Sequence, residues 1–236
     1  MKMFKFVCGA SFLTLQMLPS CFASDASSTV KYTVTNFKKT EKKNAVATIL
    51  IEKVNVDWLK DDANSQKKNI NKNLEAAAKK FETDARKCGS WAQGHPWGYE
   101  LKFEKIYETK DYLSVVFARS TVCAGSPDIE KEVKNFSKNT GQEVSSVKLV
   151  SDLAPSIKDG VSVGVTGLIK LNDEASDRLI EDSQEVMKNN FDKKCSFFLK
   201  TTSYRVWAKD GDLVFFPEFV QPDSYCQKEY FVTFDK

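Results

Sequence analysis

The sequence predicts an α+β fold in which one or more antiparallel sheets carry two main helices packed on one side. Two segments have the three- and four-residue apolar spacing of amphipathic helices, and about eight strand-like runs surround them. These runs are grouped instead of alternating strictly with helices, which is typical of α+β proteins. Four cysteines outside the N-terminal segment add a third observation, because they predict two disulfides.

The first predicted elements are two strands and a long helix. The runs TVKYTVTNFKK and NAVATILIEKV are rich in β-branched residues, and a lysine-rich turn separates them. A helix over 69–88 follows the polar break DDANSQ, and Gly89 predicts its end. The apolar spacing predicts one buried helix face, formed by Ile70, Leu74, Ala77, Phe81 and Ala85.

The middle of the chain predicts a β-hairpin and a further strand. YELKFEKIYET and YLSVVFARSTV flank a turn at Lys110 and Asp111, and IEKEVKNFS has the composition of a strand. Asn139 to Gly141 supply turn residues. The segment QEVSSVKLV after them fits a strand or a short helix.

The remaining third predicts the second helix and the closing strands. A helix within 172–195 would be capped by Asn172 or Asp173. Its apolar face would consist of Leu179, Ile180, Met187 and Phe191. The runs SFFLKTTSYRVWA, LVFFPEF and KEYFVTF predict strands, and the turn KDGD joins the first two.

The first 23 residues predict a secretory signal peptide, so residues 24–236 would form a single exported domain. Lys2 and Lys5 precede an apolar stretch that is too short to span a membrane as a helix. Cleavage before Ser24 predicts a periplasmic protein without a transmembrane segment. LPSC also resembles a lipobox, so the alternative is an envelope lipoprotein with a lipid anchor at Cys21.

The exported chain would have nearly balanced charge. Without Lys2 and Lys5, 33 basic residues face 32 acidic ones, which leaves a net charge of +1. Such a balance gives no reason to expect a nucleic-acid partner.

Four cysteines remain after the signal peptide: Cys88, Cys123, Cys195 and Cys226. An even number in an oxidising compartment predicts two disulfides, and four cysteines allow three connectivities. Their order favours Cys88–Cys123 and Cys195–Cys226, because each pair would join a helix end to a nearby strand or loop. The alternative is a zinc site, but the chain has no paired CxxC spacing and one histidine, so we expect no metal.

The loop WAQGHPWGY and the turn after Cys123 are the candidate binding elements. The candidate residues are Trp91, His95, Trp97, Ser126, Pro127 and Asp128. Tryptophan is enriched at binding hot spots, but the competing interpretation is that both tryptophans only cover the core. A Cys88–Cys123 bond would hold the loop and the turn close together.

No catalytic site or cofactor is predicted. A catalytic cysteine or serine needs a base, normally a histidine, and His95 is the only histidine in the chain. Neighbouring carboxylates occur on a predicted solvated helix face and in a turn: Glu181/Asp182, Asp173/Glu174 and Asp210/Asp212. The sequence also has no glycine-rich phosphate loop and no calcium loop.

Several short motifs lie one after another between about residues 45 and 235. They are the helix segment NINKNLEAAAKKF, Leu113-Ser114-Val115, the turn 123–127, Asn135-Phe136, Thr140-Gly141, Leu149–Leu153 and the closing run DGDLVFFPEFVQPDSYCQKEYFVTF. This order resembles a bacterial envelope domain family. The family includes the sensor domain of a lysozyme-responsive anti-sigma factor and the N-terminal domain of certain peptidoglycan deacetylases.

The resemblance implies a binding domain and not an enzyme, because the catalytic domain of the deacetylases has no counterpart in this chain. The chain also departs from the family at the turn. Ser126 stands where the family has a histidine, and Cys123-Ala124 stand where it has a glycine pair. A ligand-binding role of that histidine therefore does not transfer.

Together these observations predict a non-catalytic periplasmic module that recognises a cell-wall-acting protein such as lysozyme or a toxin hydrolase. It would act as an inhibitor, a sensor or an immunity protein. Two alternatives stay open. One is an enzyme that acts on peptidoglycan or another glycan through acidic residues, and the other is a structural envelope lipoprotein.

Overall fold

The chain folds around two five-stranded sheets, which confirms the α+β class. A computed structural model describes residues 30–41, 47–58, 64–123, 127–164, 167–219 and 223–235. The predicted signal peptide over 1–23, with Cys21, and the turn residue Ser126 lie outside the described residues.

The strands are β1 (Val30–Glu41), β2 (Ala47–Trp58), β3 (Trp97–Glu108), β4 (Tyr112–Val122), β5 (Asp128–Ser137), β6 (Val161–Val163), β7 (Ile169–Leu171), β8 (Ser203–Lys209), β9 (Asp212–Glu218) and β10 (Tyr230–Thr233). The α-helices are α1 (Asn64–Trp91), α2 (Ser146–Leu153), α3 (Asp173–Met187) and α4 (Ser196–Leu199). Short 3₁₀ helices cover Pro155–Gly160, Lys188–Asn190, Lys193–Cys195 and Asp223–Cys226. The prediction of two main helices is therefore only partly matched.

The first sheet has the order β1-β2-β3-β4-β5. Its neighbouring strands are antiparallel except β2 and β3, which are parallel and are connected through α1. A parallel pair needs such a crossover, and a helix supplies it. The predicted apolar face of α1 is confirmed, because all five of its residues are buried in the core between the helix and this sheet.

The predicted end of α1 at Gly89 is wrong, since the helix continues to Trp91. Glycine is needed at this position for close packing instead. A Cβ atom at residue 89 would lie 2.4 Å from the indole of Trp97, which no ordinary contact allows.

The second sheet has the order β10-β9-β8-β7-β6, and all of its pairs are antiparallel. Helix α3 begins with the predicted cap, because Asn172 Oδ1 accepts a hydrogen bond from Ala175 N. Leu179 and Ile180 of this helix are buried in the second core, and Met187 and Phe191 pack against that core. The two long helices thus lie on different sheets instead of forming one layer.

The run predicted as one strand over 196–208 contains a helical turn, α4, before β8 begins at Ser203. Cys195 and Leu199 are both buried. Residues two apart share one face of a strand, so an extended run would direct Phe197 to the same side as Cys195 and Leu199. The helical turn instead buries Cys195 and Leu199 and leaves Phe197 73% exposed.

The two sheets meet through a buried polar junction. Asn135 Nδ2 donates to Val206 O over 2.8 Å, and Ser114 Oγ accepts from Ala208 N over 3.2 Å. Ser114 Oγ also lies 2.7 Å from Asn135 Oδ1. These bonds connect β4 and β5 of the first sheet to β8 of the second, beside the apolar cluster of Val116, Trp207, Val214 and Phe216.

Both favoured disulfide pairings are confirmed. Cys88 is bonded to Cys123 with Cα atoms 4.7 Å apart, and Cys195 is bonded to Cys226 with Cα atoms 5.5 Å apart. Two disulfides are compatible with an extracytoplasmic location.

Among the described residues, no helix combines the length and the apolar character that crossing a membrane requires.

Candidate functional site

The predicted loop and turn lie at one end of the first sheet. Gly98 pairs with Val122 and Thr121 pairs with Asp128, so β3 begins, β4 ends and β5 begins at this end. The Cys88–Cys123 bond attaches the last turns of α1 to the same corner. The structure therefore brings together Trp91, His95, Trp97, Pro127 and Asp128, while their role in binding stays a prediction.

The two tryptophans of this corner have different environments. Trp97 packs against the first core and covers Gly89, so its indole is held in place. Trp91 is 64% exposed at the end of α1. The interpretation that the tryptophans cover the core thus applies to Trp97, while Trp91 presents an aromatic ring to solvent.

The loop between the tryptophans is held in a defined turn. His95 N donates to Ala92 O over 2.8 Å. Gln93 and Gly94 have φ values of 49° and 87°, which is left-handed backbone. The His95 side chain is exposed at the tip of this turn.

A half-buried charged cluster lies beside the disulfide. We call it the arginine–glutamate cluster, and it consists of Arg119, Asp128, Glu130, Glu132, Arg205 and Glu218. Arg119 pairs with Glu130 and lies 3.4 Å from Glu132 and 3.8 Å from Asp128. The cluster links β4 and β5 of the first sheet to β8 and β9 of the second.

Arg205 forms the second half of this cluster. Its Nε donates to Glu218 Oε1 over 2.9 Å, and its Nη1 lies 3.6 Å from Glu132 Oε2. Two guanidinium groups therefore face four carboxyl groups. This excess of carboxylates gives the corner a negative character when all of them are ionised.

Burial and like charge change the protonation of the cluster. Burial, together with the neighbouring Asp128, raises the pKa of Glu130 to about 7. Burial also raises the pKa of Glu218, although Arg205 opposes that shift. Both carboxyl groups thus lose their protons at a higher pH than an exposed glutamate does.

Two polar atoms at this cluster are buried and make no hydrogen bond to any described residue: Tyr99 OH and Arg119 Nε. Burial raises the pKa of Tyr99 to about 12, so the phenol stays neutral near pH 7. A buried polar atom without a hydrogen-bond partner costs free energy. These two atoms therefore lower the stability of the corner.

An exposed apolar side chain adds to the same end of the molecule. Ile129 at the start of β5 is 65% exposed. Its carbonyl oxygen accepts a hydrogen bond from Gln227 Nε2 over 3.3 Å, so the segment before β10 supports this edge strand.

Sequence reasoning missed the arginine–glutamate cluster. The signal was present as charged residues inside strand-like runs: Glu130 and Glu132 alternate along β5, and Arg119 and Arg205 interrupt apolar strands. The neighbouring carboxylates that the sequence analysis considered do not belong to this cluster. Asp182, for example, accepts from Arg178 Nε and Thr233 N and so fastens α3 to β10.

A groove of about 410 Å³ lies away from this corner, between β1, β2 and α1. It is lined by Thr35, Lys53, Val54, Asn55, Lys68, Asn71, Lys72, Leu74 and Glu75. Asn71 is already engaged with the backbone of Val56 through two hydrogen bonds. In the described ranges, no group of three or more histidine, cysteine, aspartate or glutamate side chains is arranged to hold a metal ion.

Comparison with known proteins finds likeness only among solved structures. No protein-family model matches the chain, and no curated protein matches it. A protein from Bacteroides fragilis aligns with a TM-score of 0.49 and 10% identity over 86% of this chain and 90% of its own. One from Pseudomonas aeruginosa aligns with a TM-score of 0.48 and 12% identity over 86% of this chain and 89% of its own.

Both of these proteins are members of the DUF3298 family. Neither a function nor a site residue of this chain follows from a likeness at that level, because unrelated functions share folds.

Proposed function

We propose that this chain is a non-catalytic binding module of the cell envelope that recognises a cell-wall-acting protein such as lysozyme or a toxin hydrolase. The binding surface would be the corner stapled by Cys88–Cys123. The observation that supports it most is that the exposed ring of Trp91 lies at the same end of the first sheet as Asp128, a member of the cluster with more carboxylates than guanidinium groups. The motif order that resembles the lysozyme-sensing family points the same way.

The first argument is preorganisation. The disulfide joins α1 to β4, the turn at 92–95 is hydrogen-bonded, and ion pairs fix β5 against β8. A surface that is already ordered loses little conformational entropy on association, so its contacts contribute more fully to affinity. Tryptophan is also among the residues that most often carry binding energy at protein interfaces.

The second argument is charge. Asp128, Glu130, Glu132 and Glu218 outnumber Arg119 and Arg205, and this negative excess is complete only above about pH 7, where Glu130 is ionised. An enzyme that acts on a wall polymer with carboxylate groups needs complementary positive charge, and such a protein would be attracted to this corner. The exposed carboxylate of Asp128 lies at the rim, where it would act mainly on the association rate.

Mixing the chain over 24–236 with lysozyme tests the proposal. We expect co-elution in size-exclusion chromatography and slower lysis of a cell-wall suspension. Trp91→Ala should weaken binding about tenfold or more, as expected for a hot-spot tryptophan. Val163→Ala is the matched control, because Val163 is an exposed apolar residue in β6 and should leave binding unchanged.

The outcomes separate the versions of this proposal. Absence of both co-elution and inhibition would show that lysozyme is not the partner. The same assay with a panel of purified bacterial cell-wall hydrolases then tests the toxin-hydrolase version. Failure with the whole panel would contradict the proposed function.

One observation favours a second candidate, a glycan-acting enzyme that uses acidic residues. Glu130 has a pKa raised to about 7 and lies in one cluster with Glu132, as a general acid beside a carboxylate would. Each of these carboxylates contacts an arginine, however, which suits a structural ion pair as well. Glycan turnover that disappears in Glu130→Gln and in Glu132→Gln would establish the enzyme, and no turnover in the unaltered chain would exclude it.

The third alternative, a structural envelope lipoprotein, depends on Cys21, which lies outside the described residues. It predicts a lipid mass increment on the N-terminus of the mature protein. Mass spectrometry of protein isolated from the envelope measures this directly.

A further inference from the structure

An aromatic patch surrounds the other disulfide, Cys195–Cys226. We define the patch as Phe197, Phe198, Phe219 and Tyr225. The ring of Phe198 lies at its centre, with ring centroids 5.7 Å from Phe197, 6.1 Å from Phe219 and 6.4 Å from Tyr225. Phe197 is 73% exposed and Tyr225 is 50% exposed, so the two outer rings face solvent.

The backbone imposes this exposure. Cys195 and Leu199 are buried on one side of α4, which directs Phe197 between them to the opposite side. Tyr225 precedes the buried Cys226, whose carbonyl oxygen accepts a hydrogen bond from Tyr230 OH over 3.0 Å. Both outer rings are therefore held out by residues that are anchored in the second core.

Lysines rim the patch. Lys193 and Lys194 precede Cys195, and Lys228 follows Cys226 by two residues, so the disulfide brings these three exposed side chains to one corner. Within the described part of the chain, no carboxylate lies within ion-pair distance of any of the three.

Three acidic residues near the patch form ion pairs with basic residues outside this rim. Asp177 pairs with Lys200, Glu218 pairs with Arg205, and Glu229 pairs with Lys209. Asp192 accepts a hydrogen bond from Lys194 N over 3.0 Å. Asp192 keeps its negative charge in this bond, so the three lysines of the rim outnumber it.

We propose that this corner is a membrane-contact site for an anionic lipid bilayer. Phe197 and Tyr225 lie in the bilayer interface, and the lysines of the rim, Lys193, Lys194 and Lys228, bind the headgroups. Exposed aromatic rings with a lysine rim are the pattern of proteins that lie on anionic membranes. Lysine suits this partner because its long side chain reaches mobile headgroups while its methylenes cover apolar surface. The patch borders the proposed protein-binding surface, since Glu218 directly precedes Phe219 and Gln227 Nε2 donates to Ile129 O, but the proposal does not depend on that surface.

Vesicle flotation with the chain over 24–236 tests this proposal. We expect binding to vesicles that contain both phosphatidylcholine and phosphatidylglycerol. Binding to vesicles of phosphatidylcholine alone should be at least about tenfold weaker, because each lysine near an anionic surface raises the affinity roughly fivefold. Raising the salt from about 0.1 M to about 1 M should abolish most of the binding, because the screening length falls to about 3 Å.

Paired variants separate this site from general charge effects. Phe197→Ser with Tyr225→Ser, and Lys193→Glu with Lys194→Glu, should each weaken vesicle binding about tenfold or more. The matched controls are Val163→Ser, and Lys68→Glu with Lys72→Glu, which make similar changes at exposed positions elsewhere. The controls should bind vesicles like the unaltered chain, and circular dichroism verifies that every variant is folded.

Two results would overturn the proposal. One is no binding of the folded chain to anionic vesicles at low salt. The other is equal loss in the patch variants and in the controls, which would assign the effect to net charge. If the patch variants instead lose binding to a cell-wall hydrolase and not to vesicles, the patch is a protein-binding surface and the membrane proposal is wrong.

Discussion

The two disulfides hold together corners with opposite surface chemistry. Cys88–Cys123 lies beside the arginine–glutamate cluster, where four carboxyl groups face two guanidinium groups. Cys195–Cys226 lies beside the aromatic patch and three exposed lysines. One disulfide thus lies at an acidic cluster to which both sheets contribute, and the other lies at a basic, aromatic patch beside the second core.

The two bonds also differ in what surrounds the sulfur atoms. Cys195 and Cys226 are both fully buried in the second core, whereas Cys123 is half-buried at the surface. The cross-linked segments have similar lengths, with sequence separations of 35 and 31 residues. The comparison teaches that one bond lies wholly inside a core, while the other connects Cys88 in the first core to Cys123 at the surface.

Removal of each disulfide tests this comparison and should give the largest effect. Chain entropy alone predicts a loss of about 4 kcal/mol for either loop. Cys195→Ala with Cys226→Ala should cost about 1 kcal/mol more than Cys88→Ala with Cys123→Ala, because both of its cysteines are fully buried and only Cys88 of the other pair is, so its removal leaves the larger cavity. Urea unfolding of both double variants measures the difference, and an equal or larger loss at the first corner would refute the distinction.

The junction between the sheets tests whether the two corners depend on each other. Asn135→Ala removes the donor to Val206 O and leaves buried polar groups without partners, so we expect a loss of about 2–3 kcal/mol in the free energy of unfolding. Asn139→Ala, at an exposed turn position, is the control and should change it by less than about 0.5 kcal/mol. A similar small change in both variants would mean that the junction contributes little.

Gly89→Ala tests the close packing at the first corner. The new Cβ would meet the Trp97 indole, and the expected loss is about 1–2 kcal/mol even though alanine favours helix formation. Lys87→Ala, exposed on the same turn of α1, should be nearly neutral. Thermal unfolding measures both, and a stabilised Gly89→Ala variant would show that Trp97 moves away without cost.

The acidic corner should also give the free energy of unfolding a characteristic pH dependence. The folded-state pKa of Glu130 is raised to about 7 from 4.5, so the folded state holds this proton more tightly than the unfolded state. Its contribution is complete below about pH 4.5 and is lost as the pH rises through about 7. Glu130→Gln stays neutral at every pH and should therefore gain stability relative to the unaltered chain between pH 5 and pH 8, by about 1 kcal/mol for each pH unit that separates the two pKa values.

Urea unfolding at several pH values measures this difference. Glu75→Gln is the control, because Lys79 lowers the pKa of that exposed carboxyl group and no gain at higher pH is expected there. A pH profile of Glu130→Gln that runs parallel to that of the unaltered chain would show that Glu130 is ionised throughout the range.

Local patterns predicted much of the fold. Apolar spacing identified the buried face of α1, and the cap at Asn172 identified the start of α3, because both features depend on residues within one or two turns. The errors arose where a distant residue decides the local structure. Gly89 seemed to end a helix but makes room for Trp97, and the run before β8 contains a helical turn that buries Cys195 and Leu199 while Phe197 between them faces solvent.

The candidate site was predictable only in part. The cysteine order placed the loop at Trp91–Trp97 beside the turn at Asp128, and the register of β3, β4 and β5 agrees. Which tryptophan is free for a partner could not be predicted, since it depends on packing against Gly89.

The amino-acid sequence by itself determined the α+β class, the face of the first helix and the two cysteine pairs, because periodicity and cysteine order are properties of the chain alone. Only the tertiary structure decided the charges and rings that meet at each corner. Arg119 and Glu218 belong to one cluster although about a hundred residues separate them, since strand register and sheet packing bring distant segments together. The opposite character of the two corners is therefore a result of packing between sheets.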